Sequence, residues 1–409
     1  MDGFGLMPVS LSGAGYRLAS GVAGAVLPLL MRGEDGAERL ALRGPEVTQG
    51  GIWIHGASVG ELNSARALIA DLAADMPVIV TANSMTGRAA AQGWDLPACL
   101  APLDVPSAVG RFLDRVRPRV QMTIENEIWP NRARLLAARG VAQVVVGARM
   151  SERSARRWAR LPGLIRPVLS RVAVLSAQNA ATEARLLALG LPPAALSGRL
   201  QLKLLAPARG VPQDGGPWRD LTVLAASTHE GEEEVILDAY LAARAEYPAL
   251  RLILAPRHPA RADQVVAIFR ARGLDPARRS RGGDESAPVL LADTLGEMAR
   301  WYDRAAICVT GGSFTDRGGH TPWEPAAHRC AILRGPHIAN FAEDYAALDA
   351  AGASRATSAG DLARAVQELA RDDAARAGMG ARARAVLLER AGDPGPLLAA
   401  INALADARA

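Results

Sequence analysis

Gly51-Ile52-Trp53-Ile54-His55-Gly56-Ala57-Ser58-Val59-Gly60-Glu61 opens the part of the chain that decides the fold. An apolar run of strand length, residues 51–55, enters a two-glycine turn. A helical period starts after Gly60, and a second apolar run follows at 78–81. This alternation is the rhythm of a βαβ unit with parallel strands. It continues through 120–124, 143–146 and 172–175, with an Arg-rich helical stretch at 151–159. Residues 205–220, LAPARGVPQDGGPWRD, interrupt both periodicities and mark a domain linker. The rhythm restarts at 221–226, 251–255, 288–291, 305–309 and 331–333, so a second parallel sheet is expected. The last fifty residues alternate Ala, Leu and Arg in helical fashion. The fold predicted is α/β, two Rossmann-like domains facing across a cleft, residues 1–205 and 206–409. Ligands then belong at the carboxyl ends of the strands.

Composition agrees. The chain has 409 residues, enough for two cores at about 100 to 200 residues per domain. It is 22% charged and 49% hydrophobic, with 40 Gly and 26 Pro spread along its length, which excludes disordered, collagenous and low-complexity classes. Cys99, Cys308 and Cys330 lack CxxC spacing, as expected of reduced thiols rather than a zinc site or disulfide framework. No charge-free run exceeds fourteen residues, short of the roughly twenty needed to cross a bilayer. Residues 18–31, between Arg17 and Arg32, carry Leu18, Val22, Val26 and Leu29 at helical spacing around Pro28. A helix lying in a membrane interface and a helix packed on the domain surface both produce that pattern. No cleavable signal follows it.

Net charge is +5, and 46 of the 47 basic residues are arginine, Lys203 being the exception. The balance favours anionic ligands or an anionic lipid surface. The basic residues are scattered without interleaved aromatics, so nucleic acid is not expected as a partner.

The chemistry-bearing motifs follow strands. Glu61 stands at a helix start beside a Gly-rich turn, either favouring the helix dipole or poised as a general base. Glu125-Asn126-Glu127-Ile128-Trp129-Pro130 ends a strand in two carboxylates. In an extended segment Glu125 and Glu127 point to one side and need a cation, a donor or a shared proton; Arg149 is a candidate partner. Ser227-Thr228-His229-Glu230 has capping-box spacing and also suits a phosphate-holding helix terminus. Arg257-His258 follows the next strand, where a surface pair is the plain alternative. Gly311-Gly312-Ser313-Phe314-Thr315-Asp316-Arg317-Gly318-Gly319-His320-Thr321-Pro322-Trp323-Glu324 offers a glycine nest for an anion, and Glu324 can accept both hydroxyls of a ribose. His55, His229, His258, His320 and His337, five of six histidines, fall in or beside such clusters. Zinc-ligand spacings, nucleophile elbows, Walker loops and dinucleotide fingerprints are missing, which disfavours metal-dependent, hydrolase, ATPase and dehydrogenase chemistry.

HGASVGE, ENEIWPN, GARMSERS, STHEGEE, PRHPAR, DTLGEM and GGSFTDRGGHTPWEPA, in this order, resemble the motifs of the 3-deoxy-D-manno-octulosonate (Kdo) transferases of lipopolysaccharide synthesis. The resemblance runs from about Trp53 to Phe341. It implies the two-domain glycosyltransferase-B (GT-B) architecture and metal-independent, inverting transfer of Kdo from CMP-Kdo to a lipid A precursor. The implied place is the cytoplasmic face of the inner membrane, peripheral or weakly anchored, with no cofactor beyond the CMP-Kdo donor. It makes Glu61 the catalytic base, supported by Glu125. The donor side comprises Arg257, His258, Gly296, Glu297, Met298, Gly312, Ser313, His320, Thr321 and Glu324. Acceptor binding or support falls to Ser58, Gly60, Glu127, Arg149, Lys203, Ser227, Thr228 and His229. Three departures stand out: Thr321 for an Asn, Gln201-Leu202-Lys203-Leu204-Leu205 for Asn-Leu-Lys-Phe-Asp, and Gly147 for an Asn. They leave room for a paralogue with another donor or acceptor, or for a noncatalytic nucleotide- or lipid-binding relative.

Overall fold

The computed structural model describes residues 11–125 and 127–407, so Asn126 of the acidic motif lies outside the described residues. The chain forms two units. The first takes the described residues up to Ala206 together with those from Ala391 on, and the second is Pro207–Arg390.

The first unit holds β1 (Ile52–Gly56), β2 (Val78–Ala82), β3 (Ala98–Leu100), β4 (Val120–Ile124), β5 (Ala142–Ala148) and β6 (Val172–Ala177). They form one parallel sheet in the order β3-β2-β1-β4-β5-β6. Every residue of β1, β2 and β4 is buried, because crossover helices cover both faces. The order reverses between β1 and β4, which makes their carboxyl ends the crevice of this unit.

The second unit holds β7 (Thr222–Thr228), β8 (Arg251–Pro256), β9 (Ala277–Arg278), β10 (Val289–Leu291), β11 (Ile307–Thr310), β12 (Ala331–Arg334) and β13 (Ser354–Ala356). Its sheet is also parallel, in the order β13-β12-β11-β7-β8-β10-β9, with the reversal between β7 and β11.

Three differences from the sequence expectation have physical causes. Strands β3, β9 and β13 were not anticipated; with two or three residues each, they are too short to show a period. Residues 205–209 of the expected linker are helical, the end of a helix Leu202–Arg209 held by buried Leu202, Leu204 and Leu205, and irregular chain begins only at Gly210. The second domain does not run to residue 409. The helix Gly395–Asp406 packs on β4, β5 and β6 of the first unit through buried Leu397, Ile401 and Ala405, an i, i+4, i+8 stripe that needs cover.

Of residues 18–31, all but Met31 fall in the helix Leu11–Leu30. Tyr16 donates to Asp104 at 2.8 Å, Ser20 receives Asn131 Nδ2, and Gly24 lies against Val105 and Ser107. The helix is packed on its unit, but by its small and polar side. Leu18, Val22, Val26, Leu29 and Leu30 face outward. Among the described residues no helix is long and apolar enough to cross a membrane.

Candidate active site

In the first unit the chain leaves β1 through Gly56, packed against Leu62 and Ile124 so closely that a side chain would collide. Ser58 caps the helix Val59–Asp75, accepting from the Glu61 amide at 3.3 Å. Gly60 is exposed beside it. The Glu61 carboxylate folds back to the Ala57 amide at 2.6 Å and the Ser58 hydroxyl at 3.4 Å. Burial raises its pKa, and the charges of Glu125 and Glu127 add to the rise against the pull of those two donors. Glu61 and the acidic pair therefore sit together where β1 and β4 part.

The acidic pair is not extended. Glu125 has φ 58°, a left-handed conformation, so the alternation expected of Glu125 and Glu127 does not apply. Glu127 accepts from Trp129 Nε1 at 2.6 Å and Asn83 Nδ2 at 3.1 Å, with His55 Nε2 at 3.6 Å. Burial pushes its carboxyl up, but His55, Trp129 and Asn83 outweigh it and hold the pKa below the usual value. His55 is fully buried, its Nδ1 2.9 Å from Thr81 Oγ1. Burial and the charge of Arg132 take its pKa to about 4, so the ring is neutral near pH 7. Arg132 is buried with its guanidinium 5.0 Å from the Trp53 ring centre and 5.5 Å from that of Trp129. Burial lowers its pKa to about 10, still leaving it charged. Arg149 is exposed; among the described residues the polar partners of Glu127 are Trp129, Asn83 and His55, correcting the expected pairing. Lys203 is exposed on the helix Leu202–Arg209.

In the second unit the sequence placed several groups correctly at strand ends but misjudged what they hold. Ser227 is no helix cap. It lies in β7 with φ 58°, and Gly231 caps the helix Glu232–Glu246. The Thr228 hydroxyl donates to Glu233, which also pairs with Arg261 at 2.8 Å. The glycine nest is already filled. Glu232, fully buried, accepts from the amides of Gly312 (2.6 Å), Phe314 (2.8 Å) and His229 (2.9 Å). Ser313 points inward, donating to Thr310 O at 2.5 Å and accepting from the Gly335 amide.

What remains open on this edge is cationic and imidazole-rich. His229 and His320 stack across the β7–β11 reversal with Nε2 to Nε2 at 2.9 Å, and His258 meets His229 edge-on. Burial lowers the pKa of both stacked rings; Arg317 and His258 further depress His229, as His229 and Arg257 do His320. A pair at 2.9 Å needs one ring to donate and the other to accept. Arg257 and His258 are exposed beside them, and Glu324 is exposed in the first turn of its helix, Oε2 3.3 Å from Tyr302 Oη. Thr321 Oγ1 accepts from the Trp323 amide at 3.3 Å. Gly296 is exposed with φ 81°, Met298 starts the helix Met298–Asp303, and Glu297 is bound by Arg279 at 2.7 Å and by Thr294.

Asn83, Arg132 and Glu232 escaped the sequence analysis. Asn83 follows β2 and was findable by the same post-strand rule. Arg132 sits inside a helix and Glu232 opens one, and nothing in their spacing announces what they hold.

A family model described as 3-Deoxy-D-manno-octulosonic-acid transferase (kdotransferase) matches residues 34–205. The 3-deoxy-D-manno-octulosonic acid transferase of Haemophilus influenzae is 33% identical over 84% of this chain and 84% of its own length. The enzyme of that name from Bordetella pertussis is 35% identical over 87% of each. A UDP-GlcNAc 2-epimerase from Neisseria meningitidis, solved with UDP-GlcNAc, aligns with 83% of this chain and 98% of its own at TM-score 0.50 and 10% identity, a likeness of fold alone. The two parallel-sheet units are thus the Rossmann-like domains of a GT-B protein. With a third of its residues shared across most of both relatives, the chain belongs to the 3-deoxy-D-manno-octulosonic acid transferase family and is a glycosyltransferase.

Proposed function

We propose that the protein transfers Kdo from CMP-Kdo to a lipid A precursor at the cytoplasmic face of the inner membrane, inverting the anomeric carbon without a metal, with Glu61 as general base. An acceptor hydroxyl attacks the anomeric carbon as the bond to the CMP phosphate breaks; its proton passes to Glu61, and CMP leaves with the bonding pair. The observation that carries this is the Glu61 carboxylate itself, raised in pKa by burial and two acidic neighbours against two donors among the described residues. A more basic carboxylate is a better proton acceptor.

General base catalysis accounts for about 10² to 10⁴ in rate, and charge stabilisation at the leaving phosphate must supply much of the rest. Arg257, His229, His258 and His320 are the groups for that task, and Glu324 for the ribose. The outward apolar side of the helix Leu11–Leu30 supports a lipid acceptor met at a membrane surface. Thr321, standing where the family resemblance calls for an Asn, favours one alternative: another nucleotide sugar as donor, detected by a donor panel.

The test is a transfer assay with CMP-Kdo and tetraacyl lipid A precursor. Glu61→Gln is expected to lower kcat about 10² to 10⁴-fold while CMP still binds. Turnover retained within a few-fold would remove Glu61 from the chemistry.

A further inference from the structure

The helix Leu11–Leu30 inverts the usual arrangement of a surface helix. Its small and polar residues face the protein, and Leu18, Val22, Leu29 and Leu30 are 59% to 74% exposed. Beside its first turns opens a cavity of about 360 Å³, walled by Tyr16 and Arg17 of this helix, Asn131 and Arg134 of the helix Pro130–Ala138, and Arg166 and Arg171. Among the described residues its lining contains four arginines and no carboxylate. Arg134 and Arg171 are half-buried. Burial and the charge of Arg134 depress the Arg171 pKa, and the Arg171 guanidinium donates to the Pro167 carbonyl. Arg134 Nε is a buried donor without a hydrogen-bond partner.

From this wall we infer that the cavity receives the phosphate headgroup of an anionic membrane phospholipid. Confined like charges without a counter-charge are relieved by an anion, and paired guanidinium forks match phosphate oxygens. The apolar stripe starts at Leu18, adjacent to Arg17 on the cavity rim, so a single ligand carrying a phosphate and acyl chains satisfies both surfaces. A soluble phosphate satisfies only one. The inference rests on the membrane-surface part of the proposed function and uses none of the Glu61 chemistry.

The experiment floats the purified full-length protein with vesicles of phosphatidylcholine, with and without phosphatidylglycerol, and reads binding with no turnover required. The protein is expected to float with the phosphatidylglycerol vesicles and to stay behind with phosphatidylcholine alone. Arg134→Gln/Arg171→Gln should weaken partitioning by about tenfold or more. Arg17→Glu, at the exposed rim where folding is not at risk, should weaken it likewise. Leu18→Ser/Val22→Ser should weaken it with every charge retained. Equal flotation on both vesicles, or arginine variants that float like the wild type, would overturn the assignment. So would displacement by inorganic phosphate, which would mark a soluble-anion site. Because flotation is scored apart from transfer, an inactive protein that still binds these vesicles would count against the proposed chemistry and leave this site standing.

Discussion

Glu61 owes its basicity to burial first and to its acidic neighbours second, and that second dependence can be measured. The Glu125 charge raises the Glu61 pKa, so removing it lets Glu61 ionise at lower pH. Activity that needs the ionised base falls as pH drops through that pKa. Glu125→Gln is therefore expected to move the acid limb of the kcat/KM profile to lower pH and slightly reduce the rate on the plateau; an unmoved limb would show that Glu125 does not set the base. The sequence exposed Glu61 and the acidic pair because carboxylates directly after strands are visible as spacing. It concealed the roles of His55 and Arg132, which depend on burial beneath Glu127 and between two tryptophans. It misjudged Ser313 and the Gly312 amide because the residue that claims the amides, Glu232, is eighty positions away.

The loops after β7 and β11 are joined by that carboxylate, so these two connections behave as one piece. Gly311 makes the junction possible, since a methyl there would run into the Ser227 carbonyl. Hydrogen bonds to a charged group contribute about 1.5 to 3 kcal/mol each, and three are involved. Glu232→Ala is expected to cost the second unit about 3 kcal/mol or more and to loosen both loops; urea unfolding together with amide exchange at Gly312 and Phe314 checks it. Exchange at those amides unchanged from wild type would refute the clamp. The parallel strands around this junction follow from the βαβ rhythm, because their apolar runs were recognisable; their order in the sheet was not encoded in that rhythm. The edge strands β9 and β13 exist only because a neighbour pairs with them, and no local signal encodes that.

Length and punctuation already pointed to two domains, yet the second proves to be inserted within the first. The helix Gly395–Asp406 belongs to the first unit because β4, β5 and β6 need its apolar stripe, a long-range requirement that the Ala-, Leu- and Arg-rich composition leaves open. Ile401→Ala is expected to destabilise the first unit by about 2 to 5 kcal/mol, raising hydrogen exchange in β4–β6 while Pro207–Arg390 stays protected. Loss spread evenly over both units would contradict the assignment. During translation, residues 395–406 emerge from the ribosome only after all of Pro207–Arg390. The nascent chain must therefore carry a half-clad sheet through the synthesis of an entire second domain, and sticking to other nascent chains is most dangerous in that interval.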